Sequence, residues 1–504
     1  MNHSIGSLVL VACFMLPVSL AFSQVKEDIP LKDFTEFAEK VMAEWGVPGM
    51  AVGVVKDGEV VYMKGFGFRD VEKQLPVTSK TLFAIGSSTK AFTAMAIGIL
   101  VDDGKLDLDT PVIEYLPDFR LCDDYATLHV TPRDLLCHRT GMPGYDPIWI
   151  LSRGSRDEFY RRLRYLEPNA GFRDVFQYNN FMYMVAGILV GRLGGGSWEK
   201  FVSERIFKPL GMEHSNFSVN DTRKADDFSQ PYMTFSEKPE KVPFRIIDAF
   251  GPGGAINSNI EDMTNWLLLH LNKGKAGDVQ LISEKSLAQT HLPHMVIRDP
   301  LQAKLAQSQM YGQGWFISDY RGHTLVEHGG NIDGFSALVS LLPEENIGVV
   351  VLFNSLNIMG YVIVRNIFDR LLGLEERDWN SHYKNLMAEI MKAMFGTAGT
   401  KEEPKPDTNP SLPFANYIGI YEHPAFDRVE VKVENDKLKV KFQSGLTSEL
   451  EHFHFDVFKG TTSDFYLPKV NIRFHISTSG DVESFSMPLG PGVPDIVFRR
   501  VKEE

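Results

Sequence analysis

The sequence predicts an α+β protein in which a large domain of mixed helices and strands is followed by a small antiparallel β domain. Three observations carry that prediction. Helix-spaced apolar stretches and short β-rich runs alternate from Leu31 to about residue 396, with no internal period of roughly 20–50 residues. Residues 397–413 then lose almost every apolar side chain and gain prolines, the composition of a linker. Beyond that stretch, apolar and polar residues alternate strictly, as in strands with one buried face.

Residues 1–23 stand before this fold. Leu8 to Leu20 is almost wholly apolar, a run of about 15 residues against the roughly 20 that a spanning helix needs. Ala21-Phe22-Ser23 fits the small-x-small cleavage pattern, although Met1 supplies the only certain positive charge ahead of the run. The segment is expected to be a signal peptide, with the mature chain starting near Gln24. The expected location is secreted and extracellular, periplasmic if the source is bacterial, with no membrane span in the mature chain.

The large domain, expected over residues 24–396, opens with a helical pattern from Leu31 to Trp45. Met50 to Val55 and Glu59 to Lys64 then flank Lys56-Asp57-Gly58 and read as a hairpin. Ser87 to Val101 is rich in Ala, Met, Ile and Leu and closes at Asp103-Gly104, a buried helix with a glycine stop. Leu338 to Phe353 gives two apolar strands around Pro343-Glu344-Glu345-Asn346. After the linker at 397–413, Arg428 to Val433 and Lys437 to Phe442 alternate on either side of Asn435-Asp436. With further β runs to Val497-Phe498, they place a small β-rich domain at 414–504.

Composition narrows the function. Apolar residues at 43% and charged residues at 23% describe a globular chain, which excludes wholesale disorder and a multi-span membrane protein. With 52 Lys+Arg against 65 Asp+Glu the formal charge is −13, and no basic cluster offers a face to nucleic acid. The three cysteines are no disulfide scaffold: Cys13 leaves with the signal, and Cys122 and Cys137 are left either bridged or free. Asn216-Phe217-Ser218 and Asn220-Asp221-Thr222 are sequons, so Asn216 and Asn220 are candidate glycosylation sites on a eukaryotic secretory route.

Three motifs can carry chemistry. Ser87-Ser88-Thr89-Lys90 opens the buried helix, and a lysine three residues after a serine reaches its hydroxyl from the same helical face. Because the helix beyond Lys90 is nearly all apolar, that lysine must either snorkel or serve a site. Tyr178 and Asn180 stand two apart before another apolar run, where a tyrosine becomes a useful base only if a cation such as Lys90 depresses its pKa. His328-Gly329-Gly330-Asn331 follows a β-like run, and as a lone feature a strand-end histidine before paired glycines reads as a turn. Those glycines would let backbone approach a ligand closely and donate an N–H to an oxyanion.

Together these motifs resemble the serine β-lactamase/penicillin-binding-protein-like family, in its class C β-lactamase and D-aminopeptidase/esterase branch. Thr131 to Gly141, Pro209-Leu210-Gly211-Met212, Gly253-Gly254-Ala255 and Tyr311-Gly312-Gln313-Gly314-Trp315 add to the likeness, which spans roughly residues 30 to 370. The resemblance implies a β-lactamase/transpeptidase-like domain: an antiparallel sheet with flanking helices plus a helical region. It implies Ser87 as the acylated nucleophile and Lys90 and Tyr178 as sharers of general-base work. Asn180 would orient Lys90 and the substrate, and His328 would stand where many β-lactamases carry a lysine. The oxyanion hole would use the backbone N–H groups of Ser87 and Asn331, the latter beside Gly330. No metal or cofactor is implied. The chain departs from the lactamase pattern in lacking Lys-Thr-Gly and Ser-Asp-Asn, which favours esters or D-peptides over lactams.

Other patterns carry less. Gly98 to Lys105 lacks the spacing and the Ser/Thr of a P-loop, and no G-x-S-x-G elbow occurs. His452 and His454 share one face of a predicted strand without further ligands, and so read as surface residues rather than a metal site. The sequence thus predicts a secreted serine hydrolase taking a small-molecule or peptide substrate. The alternative is a secreted acidic matrix protein of the shell or biomineral type, in mineral contact through its negative charge and with vestigial catalysis.

Overall fold

Two uninterrupted apolar runs, β1 (Gly49–Lys56) and Ile347–Phe353, lie side by side at the centre of the larger domain, with Val52 opposite Val351. A strand apolar on both faces must be covered on both faces. Met50, Val52 and Val54 point into one core with Val349 and Val351, and Ala51 and Val55 point into the other with Val350 and Leu352. The computed structural model describes residues 31–502 apart from 235–237, 397–402, 465–466, 468 and 490–492. The expected signal peptide, and residues 397–402 of the expected linker, lie outside the described residues.

The central sheet has nine antiparallel strands. In chain order they are β1, β2 (Glu59–Asp70), β3 (Leu75–Pro76), β4 (Met295–Val296), β5 (Met310–Tyr311), β6 (Phe316–Tyr320), β7 (His323–Ile332), β8 (Phe335–Leu342) and β9 (Ile347–Phe353). Their spatial order is β4-β5-β6-β7-β8-β9-β1-β2-β3. The hairpin and the two apolar strands expected from the sequence are β1–β2 and β8–β9. One face is covered by α1 (Phe34–Trp45) and by a C-terminal helix at Met359–Leu372. The other face carries α2 (Thr89–Asp102), α3 (Asn180–Gly194) and α4 (Ile260–Leu271). α4 lies so close that a Cβ on Gly53 of β1 would come within 2.7 Å of Thr264 Cγ2. The fold is therefore α+β, a β-lactamase/transpeptidase-like domain followed by a β-barrel.

Eight antiparallel strands from Gly419 to Arg500 close that barrel, the first pairing with the last through Tyr421 opposite Arg500. Alternate residues such as Val429 and Val431, and Leu438 and Val440, point inward onto a cluster of Tyr417, Tyr421, Phe458, Phe474, Phe485 and Phe498. A register shift between His452 and His454 breaks the shared face that the sequence predicts for them. Among the described residues no group of three or more His, Cys, Asp or Glu is placed to hold a metal ion. Among them also, no helix is long and apolar enough to cross a membrane. Cys122 is exposed and Cys137 buried, and both are free thiols.

Candidate active site

The site begins where the chain leaves a two-residue strand at Phe83–Ala84 and turns into α2. The sequence pattern starts the helix at Ser87, whereas Gly86–Ser88 forms a single 3-10 turn ahead of it. Gly86 has φ +49, a left-handed conformation that glycine adopts without a Cβ penalty. The turn is pinned beneath β7, where the Ser88 hydroxyl donates to the His328 carbonyl at 3.0 Å. Ser87 is left partly exposed between buried neighbours.

Lys90 lies one turn on and is fully buried, so it serves the site and does not snorkel. Its Nζ is 3.1 Å from Ser87 Oγ, 2.6 Å from Asn180 Oδ1 and 2.7 Å from the Gly253 carbonyl oxygen. Burial pushes its pKa down to about 7, against the opposing pull of the Asp146 carboxylate. A neutral amine has two N–H groups and one lone pair. Two of the three neighbours, Asn180 Oδ1 and the Gly253 oxygen, can only accept, so the lone pair is left for the Ser87 hydroxyl proton.

Asn180 opens α3, capped by the Asn179 side chain, which accepts from the Met182 N–H. Its amide is held from both ends, with Oδ1 accepting a hydrogen bond from Lys90 Nζ and Nδ2 donating to Asp146 Oδ1 at 2.8 Å. The Tyr178 ring lies 4.7 Å from Lys90 Nζ, and its phenol partners the Ser87 hydroxyl. The expectation that Lys90 depresses the Tyr178 pKa is overturned: burial pushes the phenol well above its ordinary value. Burial outweighs the hydrogen bond with Ser87, and the Asp146 carboxylate pushes the same way as burial.

His328 is buried, and burial with Lys90 nearby pushes its pKa down to about 3. Its Nδ1–H donates to the Gly329 carbonyl at 2.6 Å, so Nε2 accepts from the Tyr311 hydroxyl at 3.1 Å. The neutral ring therefore brings no cation to the site. The His-Gly-Gly sequence is the interior of β7 and not the strand end it resembles. Its second glycine has a specific use, since a Cβ on Gly330 would lie 1.8 Å from the Ile85 carbonyl oxygen and 2.8 Å from the Ser87 nitrogen. A Cβ on Gly86 would likewise lie 2.8 Å from the Asn331 nitrogen. The two glycines let the backbone nitrogens of Ser87 and Asn331 meet at one place.

Sequence reasoning missed Asp146, His138 and the role of the Gly253 carbonyl. His138 is buried in a left-handed conformation at φ 58 and accepts the Asn179 N–H through Nδ1, with its ring 4.3 Å from that of Tyr178. His138 and Gly253 fall in phrases that carried the family likeness, but Asp146 had no such signal. Of the two sequons, Asn216 is tied inward, its Oδ1 accepting from Thr222 and Asn257, whereas Asn220 is exposed.

The family model described as Beta-lactamase matches residues 34–374, and one described as a domain of unknown function, DUF3471, matches 403–500. A relative from Aspergillus campestris, unguisins hydrolase ungD', is 32% identical over 81% of this chain and 78% of its own length. Among solved structures, the octameric penicillin-binding protein homologue from Pyrococcus abyssi aligns at TM-score 0.59 and 24% identity. It covers 93% of this chain and 99% of that one. A D-amino acid amidase from Ochrobactrum anthropi aligns at TM-score 0.58 and 20% identity over 68% of this chain and 99% of its own.

Proposed function

Since the chain belongs to the Beta-lactamase family of serine hydrolases, we propose that it is a secreted enzyme that cleaves an amide or ester through an acyl-enzyme at Ser87. The observation that carries this reading is the buried Lys90, its pKa pushed down to about 7, whose neutral form has its lone pair left for Ser87 Oγ at 3.1 Å. Ser87 Oγ attacks the substrate carbonyl carbon as its proton passes to Lys90 Nζ. The oxyanion is received by the backbone N–H groups of Ser87 and Asn331. Tyr178, protonated at neutral pH, gives its proton to the departing amine or alkoxide and recovers one from Lys90. Water then releases the acyl group by the reverse of these transfers.

The name of one relative, a hydrolase of unguisins, supports hydrolysis, and that of one structural neighbour, an amidase of D-amino acids, supports an amide bond as the target, a D-amino-acid peptide included. Neutral His328 supplies no counter-ion for a lactam carboxylate, which supports the same choice. Secretion rests on the apolar run before Ser23.

One experiment tests both parts: full-length protein recovered from its culture medium is treated with a fluorophosphonate and mapped by mass spectrometry. The expected map shows the adduct on Ser87, Gln24 as the first residue, and no adduct in Ser87→Ala. Turnover of p-nitrophenyl esters that survives Ser87→Ala would sink the acyl-enzyme. Neither labelling nor turnover in the wild type would favour the matrix protein instead, and a recovered Met1 would refute cleavage.

A further inference from the structure

His138 is a buried histidine with no part in the proton transfers at Ser87, yet it touches the chain on both sides of Tyr178. It follows the short helix Pro132–Leu136 and stands in the left-handed conformation at φ 58, an uncommon state for a residue with a side chain and one that clusters at active sites. There its carbonyl oxygen accepts the Gln177 N–H at 2.8 Å, and its Nδ1 accepts the Asn179 N–H at 3.1 Å. Its ring lies 4.3 Å from the Tyr178 ring, tilted by 37°. One residue thus holds the chain immediately before Tyr178, immediately after it and at the ring itself.

The Asn179 bond also fixes the tautomer. A ring nitrogen that accepts carries a lone pair, so in the neutral imidazole the proton sits on Nε2. That donor is buried and has no hydrogen-bond partner among the described residues. Around it stand the rings of Tyr178, Tyr311, Tyr183 and Phe176, at 4.3, 4.9, 5.2 and 5.6 Å between centroids. A buried donor without a partner is costly, and a hydrocarbon ring in its place would avoid that cost. What a hydrocarbon ring cannot do is accept the Asn179 N–H. Burial, with Lys90 and His328 nearby, holds the His138 pKa well below its ordinary value, so the acceptor is present at neutral pH. We propose that His138 is a positioning residue, which through its carbonyl oxygen and Nδ1 fixes residues 177–179 so that the Tyr178 phenol stands against the Ser87 hydroxyl.

The inference rests on the hydrolase reading for its effect on rate but not for its geometry, and the test reads both. Full-length wild type is compared with His138→Phe, which keeps a ring and loses the acceptor. His138→Asn supplies an oxygen near the place of Nδ1 and tolerates the left-handed conformation. Hydrogen exchange followed by mass spectrometry reads the amides of Gln177 and Asn179. Turnover of phenyl acetate reads Tyr178, because the phenoxide leaves with a proton. His138→Phe is expected to exchange faster at these amides and to lose about 10- to 100-fold in kcat with little change in KM. His138→Asn should keep the slow exchange and recover most of the rate. In a Tyr178→Phe background, His138→Phe should cost no more than about threefold, because the group it positions is already gone. His138→Ala, also without the acceptor, carries the same expectations should His138→Phe fail to fold. The same loss in both backgrounds, or unchanged exchange without the acceptor, overturns the inference. An adduct on Ser87 with rates unchanged in His138→Phe leaves the hydrolase reading intact and also overturns it. Faster exchange in His138→Phe, with neither labelling nor turnover in the wild type, removes the hydrolase reading and keeps the grip on Tyr178.

Discussion

Lys90 shows how much chemistry one burial can create. An ordinary lysine is charged at pH 7 and cannot take a proton, but desolvation brings this one down to about 7, where it can. The sign follows from which form works. Only the neutral amine accepts the Ser87 proton, so acylation should rise as pH climbs through about 7 and fall roughly tenfold per unit below it. Stopped-flow labelling with a neutral ester across pH 5 to 9 would show this limb, and a flat profile would remove Lys90 as the base. Tyr178→Phe should slow acylation and leave that limb in place, because the phenol is protonated throughout the range. The serine, lysine, tyrosine and asparagine were legible in the sequence because their spacing along local elements is itself the signal. Asp146 was not, because an acidic residue before a proline means a turn everywhere, and only the approach of Asn180 gives it a partner.

At the scale of elements, the site is a contact between a turn and a strand. β7 runs over the Gly86–Ser88 turn, and the contact admits no side chain at Gly330. The sequence pointed to a turn here because glycine weakens a strand, yet its use in this strand is close backbone approach. The neighbouring Gly329 is unlike it, since a Cβ there would meet the Ala337 carbonyl oxygen at an ordinary 3.5 Å. Gly330→Ala should therefore displace the turn, costing about 1–3 kcal/mol as overpacking does and about 10² or more in labelling rate. Gly329→Ala should cost far less on both counts. Thermal melts and labelling kinetics of the pair test this, and similar losses in both would mean that the glycines act through chain flexibility and not through space.

The whole molecule depends on pairings between distant parts of the sequence. Strict alternation announced the C-terminal hairpins, but it did not announce closure, because Tyr421 meets Arg500 only once every intervening strand has been placed. The docking of the barrel was equally illegible. Arg162 grips Asp427 through two bonds of 2.9 and 2.5 Å, the Ser152 hydroxyl donates to the Phe426 carbonyl, and the Ser444 N–H donates to the Leu151 carbonyl. A cleft of about 960 Å³ runs along this junction, lined by Trp149 and Ile246 from the larger domain and Leu446 from the barrel. We propose domain boundaries at 24–396 and 414–504, with the linker between, so that limited proteolysis cuts within 397–413. Cleavage inside the larger domain instead would count against those boundaries. The Arg162–Asp427 pair is mostly shielded from water, with side chains 15% and 14% exposed, and breaking such a pair costs about 3–5 kcal/mol. The cut fragments of the wild type should therefore elute together from a sizing column. Asp427→Arg sets two guanidinium groups against each other and should separate them, whereas Asp436→Arg, in the exposed turn between two barrel strands, should not. Separation of the wild-type fragments, or of both variants alike, would show that the linker and not the ion pair holds the barrel beside the site.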